Sequence, residues 1–263
     1  MSNEEPRFLA VGTPPNERRI AFRRRWPAQS GAPGLVWLCG YRSDMDSTKA
    51  SALAAEAARR GLGCLRFDYS GHGRSEGRLE GGTISRWLEE ALTIVRAESE
   101  GPQIVVGSSM GGWLALLAVR ALHEAGEGHR VAGLILIAPA VDFTEALLWE
   151  RLPGEARRAI MQDGAWRRPS AYSDDPDVFT RALIEDGRKH LLFGGMIRTR
   201  CPTVVLQGMR DEDVPYAHAL ALMERLGGDP GTLTLIRDGD HRLSRPQDLE
   251  LLFQAVGRMA EGR

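Results

Sequence analysis

The sequence predicts an α/β fold: a mostly parallel central sheet with helices on both faces and one helical insertion. Three observations predict it. Short apolar, β-branched runs alternate with Ala-, Leu- and Glu-rich runs of helical spacing, the pattern of strand–helix–strand crossovers. One junction, Ile104-Val-Val-Gly-Ser-Ser-Met-Gly-Gly-Trp113, passes from a strand to a helix through Gly-x-Ser-x-Gly. From about 142 to 200 the pattern is helical and irregular, far longer than the dozen or so residues a crossover needs.

The elements follow in order. Residues 7–12 and 17–25 read as two strands around the turn-rich Gly12-Thr-Pro-Pro-Asn16. Arg18-Arg19 and Arg23-Arg24-Arg25 flank Ile20-Ala21-Phe22 and read as a solvated edge strand rather than a binding patch. Leu35 to Cys39 is a buried strand, followed by the loop Gly40-Tyr41-Arg42-Ser43-Asp44. A helix spans 47–60 and stops at Gly61. Leu62 to Phe67 is the next strand, leading into the polar loop Asp68-Tyr-Ser-Gly-His-Gly-Arg-Ser-Glu-Gly77. Residues 83–98 form a helix with Ile84, Trp87, Leu88, Leu92 and Val95 on one side. After the Gly-x-Ser-x-Gly junction come strands at Val131–Ile137, Cys201–Leu206 and Thr232–Ile236. Helices follow at about 216–226 and 246–260.

At 263 residues the chain is read as one domain, with the segment of about 142–200 inserted as a lid over the strand ends, where open α/β sheets bind ligands. Trp149, Trp166, Phe179, Leu191, Leu192 and Phe193 are candidates for an apolar lid lining. Apolar residues make up 43% and charged residues 26%, as in soluble globular proteins, and the formal net charge is −1. That charge gives no general attraction to nucleic acid or anionic membranes. No apolar run approaches the 18 or so residues of a membrane span. Cys39, Cys64 and Cys201 sit in or beside apolar runs and read as buried free thiols of a reducing compartment. The first residues, Met-Ser-Asn-Glu-Glu-Pro, are polar and acidic and do not read as a leader, so the expected location is cytoplasmic. No metal or cofactor is implied.

A serine on a strand-to-helix turn must hold a strained backbone so that its hydroxyl stands clear, and flanking glycines let strand and helix pass close by. Ser109 is therefore the candidate nucleophile. Gly73-Arg-Ser75-Glu-Gly77 fits the same pattern, but polar residues separate it from its strand and no apolar helix follows, so Ser75 reads as a loop serine. A serine hydroxyl needs a base, commonly a histidine oriented by a carboxylate. Of the six histidines, His123 and His129 follow the far end of the helix after Ser109. His218 is expected on a surface helix, His190 in the lid, and His72 in a loop. His241 follows the final strand directly and is the candidate base. Asp211 ends the preceding strand and is the candidate acid, with Asp213 and Asp142 as rivals. Asp238 and Asp240 read as turn residues shaping the histidine loop. For a developing oxyanion the candidate donors are the backbone N–H groups of Met110 and Tyr41.

Three stretches together resemble the α/β-hydrolase superfamily: Gly107-Ser-Ser-Met-Gly-Gly112, Asp68 to Ser75, and Gly208-Met-Arg-Asp-Glu-Asp-Val-Pro215 followed by Gly-Asp-His241. Many members carry His-Gly where this chain has Cys39-Gly40, so the Tyr41 donor is carried over by position. Cys39-Gly-Tyr-Arg-Ser-Asp-Met-Asp-Ser-Thr-Lys49-Ala, with the lid stretch Leu152-Pro, Gly164-Ala-Trp166 and Pro169-Ser-Ala-Tyr172-Ser, is similar to one subgroup. That subgroup contains a mitochondrial palmitoyl-protein thioesterase and acyl-glucuronide esterase. The resemblance implies a serine hydrolase acting on an acyl ester or thioester, with a small molecule or an acylated protein as substrate. A proline-specific peptidase is the alternative on the same fold. It would use an acidic pocket drawn from Glu150, Asp163, Asp174, Asp175, Asp177, Glu185 and Asp186. A non-catalytic ligand-binding module is the alternative of another class.

Overall fold

A computed structural model describes residues 5–29, 31–169 and 176–262. Its centre is an eight-stranded sheet. The strands are β1 (Arg7–Val11), β2 (Arg18–Arg25), β3 (Gly34–Leu38), β4 (Gly63–Phe67), β5 (Gln103–Ser108), β6 (Val131–Ile137), β9 (Thr203–Gly208) and β10 (Gly231–Ile236). A separate hairpin pairs β7 (Ala165–Arg168) with β8 (Asp177–Thr180). The order across the large sheet is β1-β2-β4-β3-β5-β6-β9-β10. β1 pairs antiparallel with β2, and β2 antiparallel with β4; the six strands from β4 to β10 run parallel. β3 and β5 are buried along their whole length, as strands covered on both faces must be.

Connection handedness distributes the helices. From β3 through α1 (Thr48–Arg60) the chain steps one way to β4; from β4 through α2 (Ile84–Glu98) it steps the other way, past β3, to β5. Right-handed crossovers in opposite directions put α1 and α2 on opposite faces. α3 (Met110–Glu124) continues in the direction of α2 and packs beside it. After α4 (Gly154–Arg158), α5 (Arg181–Gly187) and α6 (Tyr216–Arg225), the last helix, α7 (Pro246–Ala260), packs beside α1. The strand order reverses between β3 and β5, so their carboxyl ends flank the crevice where such sheets bind ligands.

Most expected elements are present within a residue or two. α2 buries Ile84, Trp87, Ala91, Ile94 and Val95, with Leu88 and Leu92 half-buried beside that stripe. α1 ends where expected: Gly61 has φ 71°, and its amide reaches back to the Ala57 and Ala58 carbonyls.

The expected edge strand is corrected. β2 lies between β1 and β4, and three of its arginines, Arg18, Arg23 and Arg24, are paired with acids of neighbouring elements, while Arg19 and Arg25 stay exposed. Arg18 is only 6% exposed and donates through Nε to Glu90 and through Nη2 to Glu89. Arg23 pairs with Asp46, and Arg24 with Glu98. Helix α2 and the loop after β3 thus supply the acids that face Arg18, Arg23 and Arg24.

The segment between β6 and β9 departs from an all-helical insertion. Short helical turns span Phe143–Asp163, but the β7–β8 hairpin follows, pairing Trp166 with Phe179. Tyr172, Asp174 and Asp175 lie outside the described residues. Asp142, a rival for the acid, has another task. Its buried carboxylate accepts from the amides of Leu192 (2.8 Å) and Phe193 (2.9 Å), tying the start of the segment to its return. No helix among the described residues is long and apolar enough to cross a membrane.

Candidate active site

The site is built at the carboxyl ends of β5, β9 and β10. Ser109 follows β5 directly and holds φ 55°, ψ −122°, a conformation side chains rarely adopt. Three backbone hydrogen bonds hold it there. Its N–H donates to the Ile137 carbonyl (2.9 Å), and its own carbonyl accepts from Gly112 (2.9 Å) and Ala140 (3.1 Å). The turn is tight because α3 begins at once. A Cβ on Gly111 would stand 2.1 Å from the Leu38 carbonyl oxygen, so only glycine lets the first turn of α3 seat against β3.

His241 lies in the loop after β10, and Asp211 in the loop after the neighbouring β9. His241 Nε2 is 3.1 Å from Ser109 Oγ, and its Nδ1 is 2.8 Å from Asp211 Oδ2. With Nδ1–H donating to the carboxylate, Nε2 presents its lone pair to the serine hydroxyl. The Asp211 side chain is fully buried and fixed on both oxygens. Oδ1 accepts from the amides of Asp213 (3.0 Å) and Val214 (2.8 Å). Oδ2 accepts also from Gln207 Nε2 (3.1 Å). Asp213, the local rival, thus meets Asp211 through its backbone amide. Asp211, Asp213 and His241 also offer one atom each within 4.8 Å of one another. Two of those three residues, Asp211 and His241, already belong to the serine–histidine–carboxylate chain.

The loop after β3 borders the serine. A Cβ on Gly40 would come within 3.2 Å of both the Ser108 carbonyl oxygen and Ser109 Cβ, so the backbone entering Tyr41 runs against the serine. Among the described residues no acceptor takes the N–H of Tyr41 or of Met110. Tyr41 is anchored by its side chain. Its phenol donates to the Val178 carbonyl of β8, its ring stacks on Phe179 at 5.5 Å, and burial raises its pKa. Trp166 stacks in turn on Phe179 at 6.2 Å, so these two aromatics form a column over Tyr41. Phe193 packs on His218 and Leu191 is exposed, so the six aromatic and aliphatic candidates do not share one lining.

The other histidines are engaged elsewhere. His218 is not on an open surface: it is half-buried, and its Nε2 lies 2.8 Å from the Val141 carbonyl, which joins α6 to the segment after β6. His72 is 4% exposed among Tyr41, Tyr69 and Trp87, and burial pushes its pKa down to about 4. His190 lies 2.7 Å from Ser85 Oγ. Ser75 is a structural hydroxyl, donating to the Asp68 carbonyl (2.7 Å) and accepting from the Ala21 amide (2.8 Å). The Asp68 carboxylate accepts from Met45 N (2.6 Å) and Arg74 N (2.8 Å), which fixes the loops after β3 and β4 to each other. The acids considered for an amino-terminus pocket are largely engaged. Asp177 pairs with Arg42 and Arg168, Glu185 with Arg181, and Asp186 with Ser85 and Lys189.

Sequence reasoning overlooked Gln207. It is fully buried four residues before Asp211, and its amide bridges Asp211 to the carbonyls of Gly208 and Val214. A glutamine inside the apolar run Val204-Val-Leu-Gln-Gly208 was the available signal. The three thiols are buried, and burial pushes Cys64 and Cys201 up to about 11, which keeps them unreactive.

A parallel sheet carrying a serine on a strained strand-to-helix turn, with a histidine and a carboxylate at later strand ends, defines a class. The chain belongs to the alpha/beta hydrolase family, whose model matches residues 30–250. Within that family it is similar to the human mitochondrial palmitoyl-protein thioesterase ABHD10, 34% identical over 243 residues, 92% of this chain and 76% of the relative. The mouse ABHD10 protein is 36% identical over 250 residues, covering 95% of this chain and 80% of the relative. The solved structure of mouse alpha/beta hydrolase domain-containing protein 10 superposes with a TM-score of 0.85 at 32% identity, covering 98% of this chain and 99% of the other. A crystal structure from Agrobacterium vitis S4 superposes with a TM-score of 0.94 at 49% identity, covering 97% of this chain and 98% of the other. These relatives correct the expected cytoplasmic location, because the human and mouse proteins are named mitochondrial. The physical clues to address were weak ones: buried thiols report that no disulfide forms, and they do not separate one reducing compartment from another.

Proposed function

We propose that the chain is a serine hydrolase that cleaves carboxylic esters and S-acyl thioesters through an acyl-enzyme on Ser109. The carrying observation is the unbroken hydrogen-bonded chain from Ser109 Oγ through His241 to Asp211. Ser109 Oγ attacks the acyl carbonyl carbon while its proton passes to His241 Nε2. The carbonyl oxygen becomes an oxyanion and is taken by the N–H groups of Met110 and Tyr41. The C–S or C–O bond to the leaving group then breaks, and His241 returns the proton to the departing thiolate or alkoxide. Water repeats the sequence on the acyl-enzyme, releasing a carboxylic acid and restoring the hydroxyl. Asp211 holds the productive tautomer and offsets the charge of the imidazolium.

The substrate class follows the palmitoyl-protein thioesterase relatives: an S-acyl thioester, an acylated protein among its carriers. The chain acts as one unit, with the segment of about 142–200 as a lid; the contact of Tyr41 with Val178 and Phe179 supports this reading. The test compares matched oxygen esters and thioesters of increasing acyl length, using wild type and Ser109→Ala. Turnover of acyl thioesters, lost by roughly 10⁵-fold or more in the variant, is expected. Turnover persisting in Ser109→Ala would overturn the mechanism, and inertness toward all thioesters would overturn the substrate class.

A further inference from the structure

The stretch from Cys39 to Lys49 supplies Tyr41 near its start and ends in a lysine at the head of α1. Lys49 is the second residue of α1 and is half-buried. Its Nζ crosses to the loop after β10 and donates to the carbonyl of Arg242, the residue following His241. It also lies 3.5 Å from Ser244 Oγ, which donates to the same carbonyl at 2.9 Å. The loop needs such a pin. Leu243 turns it back at φ 43°, a left-handed conformation for a bulky buried residue, and the Leu243 N–H donates to Asp240 Oδ1 (3.0 Å). The far end of the loop is clamped separately, by Arg245 on Asp238 and Asp248. On the His241 side of that clamp, Lys49 joins α1 to the loop by a side-chain bond.

We propose that Lys49 is a positioning residue for His241, locking the histidine loop to the same rigid unit that carries the Tyr41 amide. The inference rests on the reading of His241 as the base. A charge-assisted bond to a peptide carbonyl is about twice as strong as a neutral one, so the pin is strongest while the ammonium is protonated. The charged groups facing Nζ are Asp240 and Arg242 from the histidine loop and Asp248 from α7. The carboxylates favour the charged form and Arg242 opposes it, but burial dominates and pulls the ammonium down to about 8. The pin therefore weakens within the range where a hydrolase can be assayed.

The experiment measures turnover and the rate of fluorophosphonate labelling of Ser109 from pH 6 to 10, in wild type, Lys49→Met and Lys49→Arg. Ser109→Ala is the control for the underlying reading. If that control stays active, the nucleophile assignment fails independently of Lys49. Lys49→Met keeps the aliphatic stem and removes the donor. It should lower kcat and the labelling rate by about tenfold and leave KM nearly unchanged. Wild type should show an alkaline limb near pH 8, which disappears in Lys49→Met. Arginine does not titrate in this range, so Lys49→Arg should also lack that limb, whether or not the methionine variant folds. A purely structural lysine would lower the melting temperature and leave the labelling rate and pH profile as in wild type; that result, or an alkaline limb persisting in Lys49→Arg, overturns the proposal.

Discussion

Replacing Asp211 by Asn tests the acid assignment with a nearly isosteric change. The carboxylate accepts four hydrogen bonds, from His241, Gln207, Asp213 N and Val214 N. An asparagine has one acceptor oxygen and one donor NH₂. If its oxygen keeps the two backbone amides, its NH₂ faces both Gln207 Nε2 and His241 Nδ1. The imidazole then accepts at Nδ1 and carries its proton on Nε2, so it presents a donor to Ser109 and cannot take the hydroxyl proton. If the amide is flipped, its NH₂ faces the two backbone N–H groups instead. Either way a buried donor meets a donor, costing roughly 1–3 kcal/mol of stability, or several degrees of melting temperature at this size. The kinetic effect is larger. A wrong-tautomer histidine in another serine hydrolase lowers kcat about 10⁴-fold, or about 5 kcal/mol of barrier. Steady-state hydrolysis of an activated ester well below the unfolding transition should show a kcat/KM decrease of that order. A folded Asp211→Asn enzyme within tenfold of wild type would refute the reasoning and return the role to Asp213.

Three further outcomes are expected. Gly111→Ala places a methyl carbon 2.1 Å from the Leu38 carbonyl oxygen, so α3 must withdraw from β3; a loss of roughly 1–3 kcal/mol in urea unfolding and at least a tenfold fall in Ser109 labelling rate are expected. His72 has a folded pKa of about 4 against an ordinary 6.5, so the unfolded chain binds its proton first as the pH falls. Its contribution is present above about pH 6.5 and lost on acidification toward about 4, on the order of 3 kcal/mol. His190 and His218, also pushed down by burial, add in the same direction. His72→Phe should flatten the difference between denaturation curves at pH 7 and pH 4.5. Ser75→Ala removes bonds to Asp68 O and Ala21 N; it should cost about 1–2 kcal/mol of stability without changing the labelling rate.

The sheet and the site geometry were legible because they follow from strong local signals. The run from Ile104 to Trp113 states a strand, a forced turn and a helix in ten residues, and the parallel strands ending at Asp211 and His241 bring their loops to one edge. What was not legible depends on partners distant in the chain. Arg18, Arg23 and Arg24 of β2 read as solvated, and only the fold brings Glu89, Glu90, Glu98 and Asp46 against them. The β7–β8 hairpin has four-residue strands that mix Trp166 and Phe179 with Arg167, Arg168 and Asp177, too short for a clear alternation. Lys49 acts from a helix start on a loop far along the chain, while Gln207 acts locally from inside an apolar strand, on Gly208, Asp211 and Val214, and neither leaves a periodic trace. His218 sits on a helix of mixed exposure, and only the fold reveals the Val141 carbonyl beside it.

The central claim is that Ser109 is the nucleophile, and trapping tests it most directly. The native protein is treated with a fluorophosphonate, digested, and the adduct mapped by mass spectrometry. The account predicts one modified residue, Ser109, with labelling abolished in Ser109→Ala and strongly slowed in His241→Ala. An adduct on another serine, Ser75 included, or undiminished labelling of Ser109→Ala, would contradict it.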